Sequence, residues 1–223
     1  MKLHVNGLDL FYEKSGEGKP LILLHGNTET HRIFDRAIPL LAARYTVYAI
    51  DSRGHGESDK VERYHYDDMK EDVRCFIEQL QLTRPLLCGA SDGAIIGLIL
   101  ASAYPALLSG LIACGANTKP SGIRDGWMKF FAFANSKVND PRMDMMLTEP
   151  NITAEMLQRI AVPTLVLAGG HDMIKRADTE FIAASIKNSE LRILPLQGHT
   201  SYISHRKRIA KLILAFADER LDG

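Results

Sequence analysis

The stretch 86–97 places the tightest limits on how this chain can fold. An apolar segment, 86–88, runs into the motif Gly89-x-Ser91-x-Gly93, and small and apolar residues without a proline follow it. This pattern is typical of a strand, a sharp turn and a helix. Because the two glycines lack side chains, the strand and the helix can approach each other closely. The turn presents Ser91 above the N-terminus of the helix, where developing negative charge is favoured, so this serine is a candidate nucleophile.

Apolar segments of strand length alternate with segments of helical periodicity along the rest of the chain. The strand-like segments are 21–24, 45–50, 108–116, 162–168 and 191–195. Apolar residues at the 3–4 spacing of helices fall within 33–41, 69–80, 176–186 and 209–216. Hydrophobic alternation around Asn6-Gly7 adds an N-terminal β-hairpin. The pattern predicts an α/β fold with a mostly parallel central sheet and helices on both of its faces.

The alternation is interrupted over about 118–161. This segment holds Trp127, Phe130 and Phe131, together with five of the eight methionines, Met128, Met143, Met145, Met146 and Met156. A chain of 223 residues, 46% of them hydrophobic, suits one domain with a substantial core. We therefore expect a single domain, 1–223, in which 118–161 forms a short helical cap. The three aromatic residues are candidate substrate-binding residues, and the methionines suit a pocket for varied apolar groups.

Several polar residues directly follow predicted strands, namely Asn27, Asp51, Ser91, Asp172 and His199. The carboxyl ends of parallel strands meet at one edge of a sheet, where ligands collect. We expect Ser91 to attack a carbonyl carbon and His199 to take its proton and return it to the leaving group. Asp172 is expected to orient the imidazole and to stabilise its charged form. For Asp51 we expect a structural role in a turn.

An attack on a carbonyl carbon also requires donors for the oxyanion that forms. Main-chain N–H groups are the usual donors, one of them from the residue after the nucleophile. That residue is Asp92, and the loop after the first apolar strand supplies Asn27. We expect the N–H groups of these two residues to form the oxyanion hole.

The composition argues against several classes of function. The 27 Lys and Arg residues balance the 27 Asp and Glu residues, so the chain lacks the basic character of a nucleic-acid-binding domain. We expect no signal peptide and no membrane span, because neither a short apolar leader core nor a run of about 18 apolar residues is found. The three cysteines, Cys75, Cys88 and Cys114, are expected to be buried free thiols in a cytoplasmic protein.

Binding partners are expected to be few. The sequence contains no Cys-x-x-Cys or His-Glu-x-x-His motif, and we expect neither a metal nor a cofactor. The expected partner is a small-molecule substrate, with no nucleic acid and no membrane. The chain is expected to be a monomer or a homodimer.

Five motifs occur in order along the chain: His25-Gly26, Asp51-x-Arg53-Gly54-x-Gly56-x-Ser58, Gly89-x-Ser91-x-Gly93, Asp172 and Gly198-His199. Together they resemble the α/β-hydrolase superfamily, and the resemblance covers essentially the whole chain. It implies the α/β-hydrolase fold and a triad in the order serine, aspartate, histidine. The fold hosts many reactions, so the resemblance implies much less about the substrate.

A closer resemblance rests on Ser91-Asp92-Gly93, on Gly115-Ala116-Asn117 and on the short cap. These features are similar to the valacyclovir hydrolase (biphenyl hydrolase-like) group of serine esterases. In that group the aspartate after the nucleophile is understood to receive the α-amino group of the substrate. Asp92 stands at the matching position, which implies α-amino acid esters as candidate substrates.

The expected function is that of a serine hydrolase, which cleaves carboxylic esters of small to medium substrates through an acyl-enzyme. Two alternatives stay open at this stage. The same triad could serve C–C bond hydrolysis, lactone opening or perhydrolysis. The chain could also be a non-catalytic receptor that binds ligands in the same pocket, although its intact set of serine, histidine and aspartate argues against this.

Overall fold

A computed structural model describes residues 1–221 of the chain. Its sheet has eight strands, β1 to β8 in chain order: Lys2–Val5, Leu8–Ser15, Lys19–Leu24, Tyr45–Ile50, Leu86–Ala90, Gly110–Cys114, Thr164–Gly169 and Ser189–Leu194. They lie side by side in the order β1-β2-β4-β3-β5-β6-β7-β8. The pairs β1–β2 and β2–β4 are antiparallel, and every other pair is parallel. This is the α/β-hydrolase arrangement that the sequence predicts.

The register of the parallel strands brings their carboxyl ends together. Leu24 at the end of β3 pairs with Gly89 of β5, and the next residue, Ala90, pairs with Cys114 at the end of β6. Gly169 at the end of β7 pairs with Leu194 at the end of β8. The loops that follow these strands therefore emerge along one edge of the sheet, where α/β folds gather their ligands.

Eight helices, α1 to α8, accompany the sheet: Ile38–Leu41, Tyr66–Gln79, Asp92–Ala103, Asp125–Val138, Pro141–Thr148, Ala154–Gln158, Arg176–Ser185 and Arg208–Arg220. One buried cluster joins α2, α3, α6 and α7 to one face of the sheet, and a second joins α1 and α8 to the other. Both faces are thus covered, as a parallel sheet requires. Within residues 1–221, no helix has the length and apolar character needed to cross a membrane.

The predicted helical segment 33–41 is wrong as one helix. It is divided into a 3-10 turn, His31–Phe34, and the single-turn helix α1. Pro39 lies within the first two positions of α1 and lacks the N–H that a continuous helix would need there. Leu40, expected on the buried face, is 36% exposed.

The N-terminal hairpin is confirmed. Strands β1 and β2 pair with Val5 opposite Leu8, so Asn6 and Gly7 form a two-residue turn. Both turn residues have positive φ, 47° and 81°, which is the geometry that favours an Asn-Gly pair in tight hairpins.

The segment 118–161, expected to form the cap, lies between β6 and β7 and contains α4, α5 and α6. Helices α4 and α5 contact each other. Helix α6 lies instead against α3 and α7, so it contributes to the core of the main body. Met145 and Leu157 are fully buried members of that core.

Two of the three cysteines are placed as expected. Cys88 and Cys114 are buried free thiols, on the adjacent strands β5 and β6. Cys75 is a free thiol too, but it is only half-buried, which corrects the expectation. It lies on α2 next to Arg74, whose guanidinium contacts its sulfur.

The closest approach of strand and helix gives a stability prediction. A methyl group at Gly89 would lie 2.1 Å from the main-chain oxygen of Gly93, which cannot move without shifting α3. We expect Gly89→Ala to lower the free energy of unfolding by about 1–3 kcal/mol or more, because of this overlap. Urea denaturation monitored by circular dichroism measures the change.

The matched control is Gly126→Ala, because a methyl group at this helical position has no atom within 4 Å. This variant should unfold within about 1 kcal/mol of the unaltered protein. Equal stability of the Gly89 and Gly126 variants would contradict the close-packing argument.

Candidate active site

Ser91 occupies the turn between β5 and α3. Its φ of 51° lies in the left-handed region, which non-glycine residues rarely adopt and which often marks a functional site. The turn is held by the Ser91 N–H, which donates to the Cys114 carbonyl at 2.8 Å, and by the N–H groups of Ala94 and Ile95 in α3, which donate to the Ser91 carbonyl. A methyl group at Gly93 would lie 2.4 Å from the carbonyl oxygen of Leu24, so only glycine fits there.

A chain of hydrogen bonds links three of the expected residues. Oγ of Ser91 lies 3.0 Å from Nε2 of His199, and Nδ1 of His199 lies 2.6 Å from Oδ1 of Asp172. An ionised aspartate can only accept, so Nδ1 carries the proton and Nε2 is free to accept from the serine hydroxyl. The three side chains come from separate loops, after β5, β7 and β8.

Asp172 is held by the backbone of its own loop. Its Oδ2 accepts from the Gly169 N–H at 3.1 Å, and Oδ1 accepts from the Ile174 N–H at 3.0 Å. Burial by itself would raise the pKa of this carboxyl, but the hydrogen bonds and the nearby His199 outweigh it and lower the pKa below its ordinary value. Asp172 is therefore a fixed negative charge at neutral pH.

The imidazole of His199 rests against a glycine. A methyl group at Gly115 would lie 2.8 Å from Cε1 of His199, and Gly115 has a φ of +66°. Both the space and the backbone conformation at this position therefore require glycine. This glycine follows β6, Asp172 follows β7 and His199 follows β8, so the loops after three neighbouring strands meet at the imidazole.

The two expected oxyanion donors belong to two different elements next to the serine turn. Asp92 is the first residue of α3, and Asn27 belongs to the loop that follows β3. Among the hydrogen bonds of residues 1–221, neither main-chain N–H donates to a protein acceptor. The side-chain amide of Asn27 donates to the carbonyl of Arg142 at 3.0 Å and so ties this loop to α5.

Two buried histidines fix the loop that carries Asn27. Nε2 of His25 accepts from the Ser52 N–H at 3.0 Å, and Nε2 of His55 accepts from the Thr28 N–H at 3.2 Å. Burial lowers the pKa of both rings, that of His25 to about 4, so both are neutral and able to accept at neutral pH. Sequence reasoning missed this function of the two histidines.

Asp51 has the structural role expected of it. Its Oδ1 accepts from the main-chain N–H of His31 at 2.8 Å and also lies 2.8 Å from Nδ1 of the same residue. Its Oδ2 accepts from the Glu57 N–H at 3.0 Å. Arg53 forms a buried two-bond pair with Asp72 of α2, with both bonds at 2.6 Å. These contacts stabilise the loop after β4 and lie outside the cavity lining.

A cavity of about 570 Å³ opens above Ser91 and His199. Its lining combines the two side chains with aromatic and thioether groups from the cap, Trp127, Phe131, Met143 and Met146. Two of the three candidate aromatic residues are therefore on its wall. Phe130 is not: it is 57% exposed, and its ring packs edge-on against that of Trp127. Trp127 and Phe131, four residues apart on α4, reach the cavity, whereas Phe130 contacts both of their rings without reaching the cavity wall.

The side chain of Asp92 does not line the cavity either. It is only 3% exposed, and its Oδ1 accepts from the Tyr66 hydroxyl at 2.9 Å. Its Oδ2 has no hydrogen-bond partner among the described residues, and the same is true of Oδ1 of Asn27. Burial raises the pKa of Asp92 to about 6. The structure therefore does not place this carboxylate where the resemblance implied, on the substrate side of the nucleophile.

Several lining residues were missed by sequence reasoning. Glu29, His171 and Met173 line the cavity beside the serine and the histidine. Glu29 lies only a few residues beyond His25-Gly26, so its position after a strand end was an available signal. No comparable signal marks Met173. Within the described part of the chain, no cluster of three or more His, Cys, Asp or Glu side chains could hold a metal ion.

The family model for the alpha/beta hydrolase fold matches residues 19–141, more than half of the chain. This chain is an α/β hydrolase. The match covers the sheet from β3 to β6, the serine turn and the start of the cap, and so confirms the resemblance drawn from the five motifs.

Curated relatives match this α/β hydrolase over nearly its whole length. The AB hydrolase superfamily protein YisY of Bacillus subtilis is 28% identical, over 94% of this chain and 95% of that protein. The human serine hydrolase BPHL is 29% identical, over 95% of this chain and 84% of that protein. The biphenyl hydrolase-like resemblance is thereby confirmed, and the fold and relatives are those of hydrolases.

A solved structure shows the same fold. The meta-cleavage product hydrolase of Pseudomonas fluorescens IP01 superposes with a TM-score of 0.82, covering 98% of this chain and 97% of that one. The sequence identity is 18%, so this likeness concerns the fold alone.

The enclosed carboxylate of Asp92 gives a prediction about stability and pH. Its pKa is raised to about 6 in the folded state, whereas an unfolded aspartate titrates near its ordinary value. The folded state therefore loses stability from this group as the pH rises from about 4 to above 6. Asp92→Asn removes the buried charge, and its amide oxygen can still accept from Tyr66.

We expect Asp92→Asn to stabilise the protein more, relative to the unaltered chain, at about pH 7.5 than at about pH 4. Urea unfolding of both proteins at the two pH values measures the difference. Glu62→Gln, at an exposed position without a hydrogen bond or ion pair among the described residues, is the control for a change in net charge. The same difference at both pH values would show that Asp92 has no raised pKa.

Proposed function

We propose that this α/β hydrolase is a serine hydrolase that cleaves carboxylic esters of small to medium size through an acyl-enzyme. The observation that carries the proposal is the unbroken chain of hydrogen bonds from Ser91 through His199 to Asp172, placed at the base of the cavity. The human relative described as a serine hydrolase supports a serine nucleophile.

In the first half of the reaction, Oγ of Ser91 attacks the ester carbonyl carbon while Nε2 of His199 takes the hydroxyl proton. The carbonyl electrons move to oxygen, and the N–H groups of Asn27 and Asp92 donate to this oxyanion. The oxyanion then re-forms the carbonyl, the bond to the alcohol oxygen breaks, and His199 gives its proton to the leaving alcohol. The acyl group remains on Ser91.

In the second half, water replaces the alcohol. His199 takes a proton from the water as its oxygen attacks the acyl carbon, and the same two N–H groups stabilise the second oxyanion. Collapse breaks the bond to Oγ, and the proton returns to Ser91. Each oxyanion donor of this kind typically contributes about 2.7–4 kcal/mol of transition-state stabilisation.

Asp172 serves this cycle in two ways. Its hydrogen bond to Nδ1 keeps the imidazole in the tautomer that can accept at Nε2. Its lowered pKa keeps it ionised while His199 is transiently cationic, so the ion pair is available when the charge forms. Because the backbone N–H groups of Gly169 and Ile174 hold the carboxylate, it does not have to reorient during the reaction.

The proposed substrate size follows from the cavity. A volume of about 570 Å³ lies within the range of sites for small molecules. Its aromatic and thioether wall suits an apolar acyl or alcohol group, and Met143 and Met146 can adjust to different shapes. The proposal includes no substrate contact for the side chains of Asp92 or Phe130.

The decisive test is Ser91→Ala, assayed with p-nitrophenyl esters of two to eight acyl carbons. We expect kcat to fall by about 10⁴-fold or more, because the acyl-enzyme can no longer form. His199→Ala should cause a loss of the same order. Ser136→Ala, at an exposed position of α4 outside the cavity lining, is the matched control and should keep full activity.

A second readout identifies the nucleophile directly. A fluorophosphonate ester should add one phosphonyl group to the unaltered protein, located at Ser91 by peptide mass spectrometry, and none to Ser91→Ala. Ester hydrolysis that survives in Ser91→Ala would refute the proposal. Labelling at Ser91 without turnover of any ester would direct the search to lactones or C–C bonds.

A further inference from the structure

Glu29 is the carboxylate on the cavity wall. It lies in the loop after β3, and it lines the cavity together with Gly26, Ser91 and His199. Its Oε2 accepts from the Gly26 N–H at 3.1 Å, which fixes the carboxylate against the backbone of the oxyanion loop. The mechanism described above does not use this residue.

The carboxylate faces the nucleophile across a small gap. A methyl group built at Gly26 would lie 2.8 Å from Oε2 of Glu29 and 3.1 Å from Cβ of Ser91. The space that a side chain at position 26 would fill therefore separates the two groups. A substrate bound at Ser91 therefore lies in the same part of the cavity as the carboxylate of Glu29.

Glu29 has no cationic partner that would neutralise it. Within residues 1–221, no Lys or Arg forms an ion pair with it, and none lines the cavity. Burial raises its pKa, and the hydrogen bond from Gly26 and the nearby His199 and His205 oppose this rise. A partly desolvated carboxylate without a counter-ion gains most when a bound ligand supplies the positive charge.

We propose that Glu29 selects substrates by charge, favouring esters that carry an ammonium group near the reacting carbonyl and disfavouring those that carry a carboxylate or sulfonate. The inference deepens the proposed serine-hydrolase function and rests on it for its kinetic part. The aromatic wall supports it, because Trp127 and Phe131 face the same cavity and the π-face of an aromatic ring attracts cations.

The selection acts on the transition state as well as on binding. When the ester carbonyl becomes an oxyanion, the new negative charge forms close to the carboxylate of Glu29 and is repelled by it. A substrate ammonium beside Glu29 cancels the repulsion, and a substrate anion adds to it. The rate of a neutral ester should lie between the two.

Glu29 is better placed for this role than Asp92. Asp92 is enclosed, is not on the cavity wall and shares one oxygen with the Tyr66 hydroxyl. Glu29 is only half-buried, and its Oε1 has no hydrogen-bond partner among the described residues. An incoming ammonium can therefore reach Glu29 without displacing a protein contact.

The kinetic test uses three acetate esters of similar shape and different charge, those of choline, 3,3-dimethylbutanol and 2-hydroxyethanesulfonate. We expect kcat/KM of the unaltered protein to be about 10–100-fold higher for the choline ester than for the neutral ester, and lower again for the sulfonate. Glu29→Gln should bring the choline-to-neutral ratio below about threefold and raise the rates of the other two esters. Gln can still accept from Gly26.

Glu17→Gln is the matched control, because Glu17 is exposed in the turn before β3, at the opposite end of the strand from the cavity. It makes the same change in net charge and should leave all three rates unchanged. Ser91-dependent hydrolysis with the same charge preference in Glu29→Gln and Glu17→Gln would overturn charge selection and leave the serine-hydrolase proposal intact.

A binding measurement separates the two proposals. Choline and 3,3-dimethylbutanol are titrated by NMR into Ser91→Ala and into the double variant Ser91→Ala, Glu29→Gln. We expect choline to bind Ser91→Ala at least tenfold more tightly than the neutral alcohol, and the double variant to lose this preference. If the preference is absent from Ser91→Ala, charge selection is overturned, whether or not any ester is hydrolysed.

Discussion

The site depends on the close approach of β5 and α3 at two glycines. Gly89 and Gly93 leave so little space that even a methyl group on either would overlap main-chain atoms. The contact forces the intervening turn into a conformation with positive φ at Ser91 and aims the hydroxyl out of the sheet edge. The neighbouring strands β3 and β6 then fix that edge, through the His25 carbonyl that accepts from Gly93 and the Cys114 carbonyl that accepts from Ser91. The strained backbone conformation of Ser91 persists because the atoms packed around the turn leave no room for it to relax.

Three carboxylates around this turn have three different electrostatic environments. Asp172 receives two backbone N–H groups and the imidazole, which lower its pKa. Asp92, one residue from the nucleophile, has one donor and is otherwise enclosed, so burial raises its pKa to about 6. Glu29 lies between these extremes, with one backbone donor and an open side toward the cavity. The same functional group therefore supplies a fixed charge, a buried structural acid and a group that can contact ligands, because each is solvated and hydrogen-bonded differently.

Much of this architecture could be read from the sequence because it follows local rules. Apolar segments of strand length predicted six strands within a few residues, and Asn6-Gly7 predicted the hairpin turn. The prediction of one helix over 33–41 was wrong because Pro39 divides the segment. The spacing of apolar residues carries no information about the missing N–H of a proline. Ser91, Asp172 and His199 could be selected from many polar residues because each follows a strand, and parallel strands bring those positions together. The catalytic roles of these residues stay predictions until they are tested.

The sequence by itself determined the order of strands and helices, the glycine turn and the set of residues at the strand ends, since these depend on neighbours along the chain. Only the tertiary structure decided which side chains face the cavity. Asp92 bonds to Tyr66 of α2, Phe130 is absent from the wall to which Trp127 and Phe131 contribute, and Glu29 comes to face Ser91 across Gly26. Each of these outcomes depends on contacts between residues distant in the chain, or on a side-chain direction set by packing, and no local pattern records either.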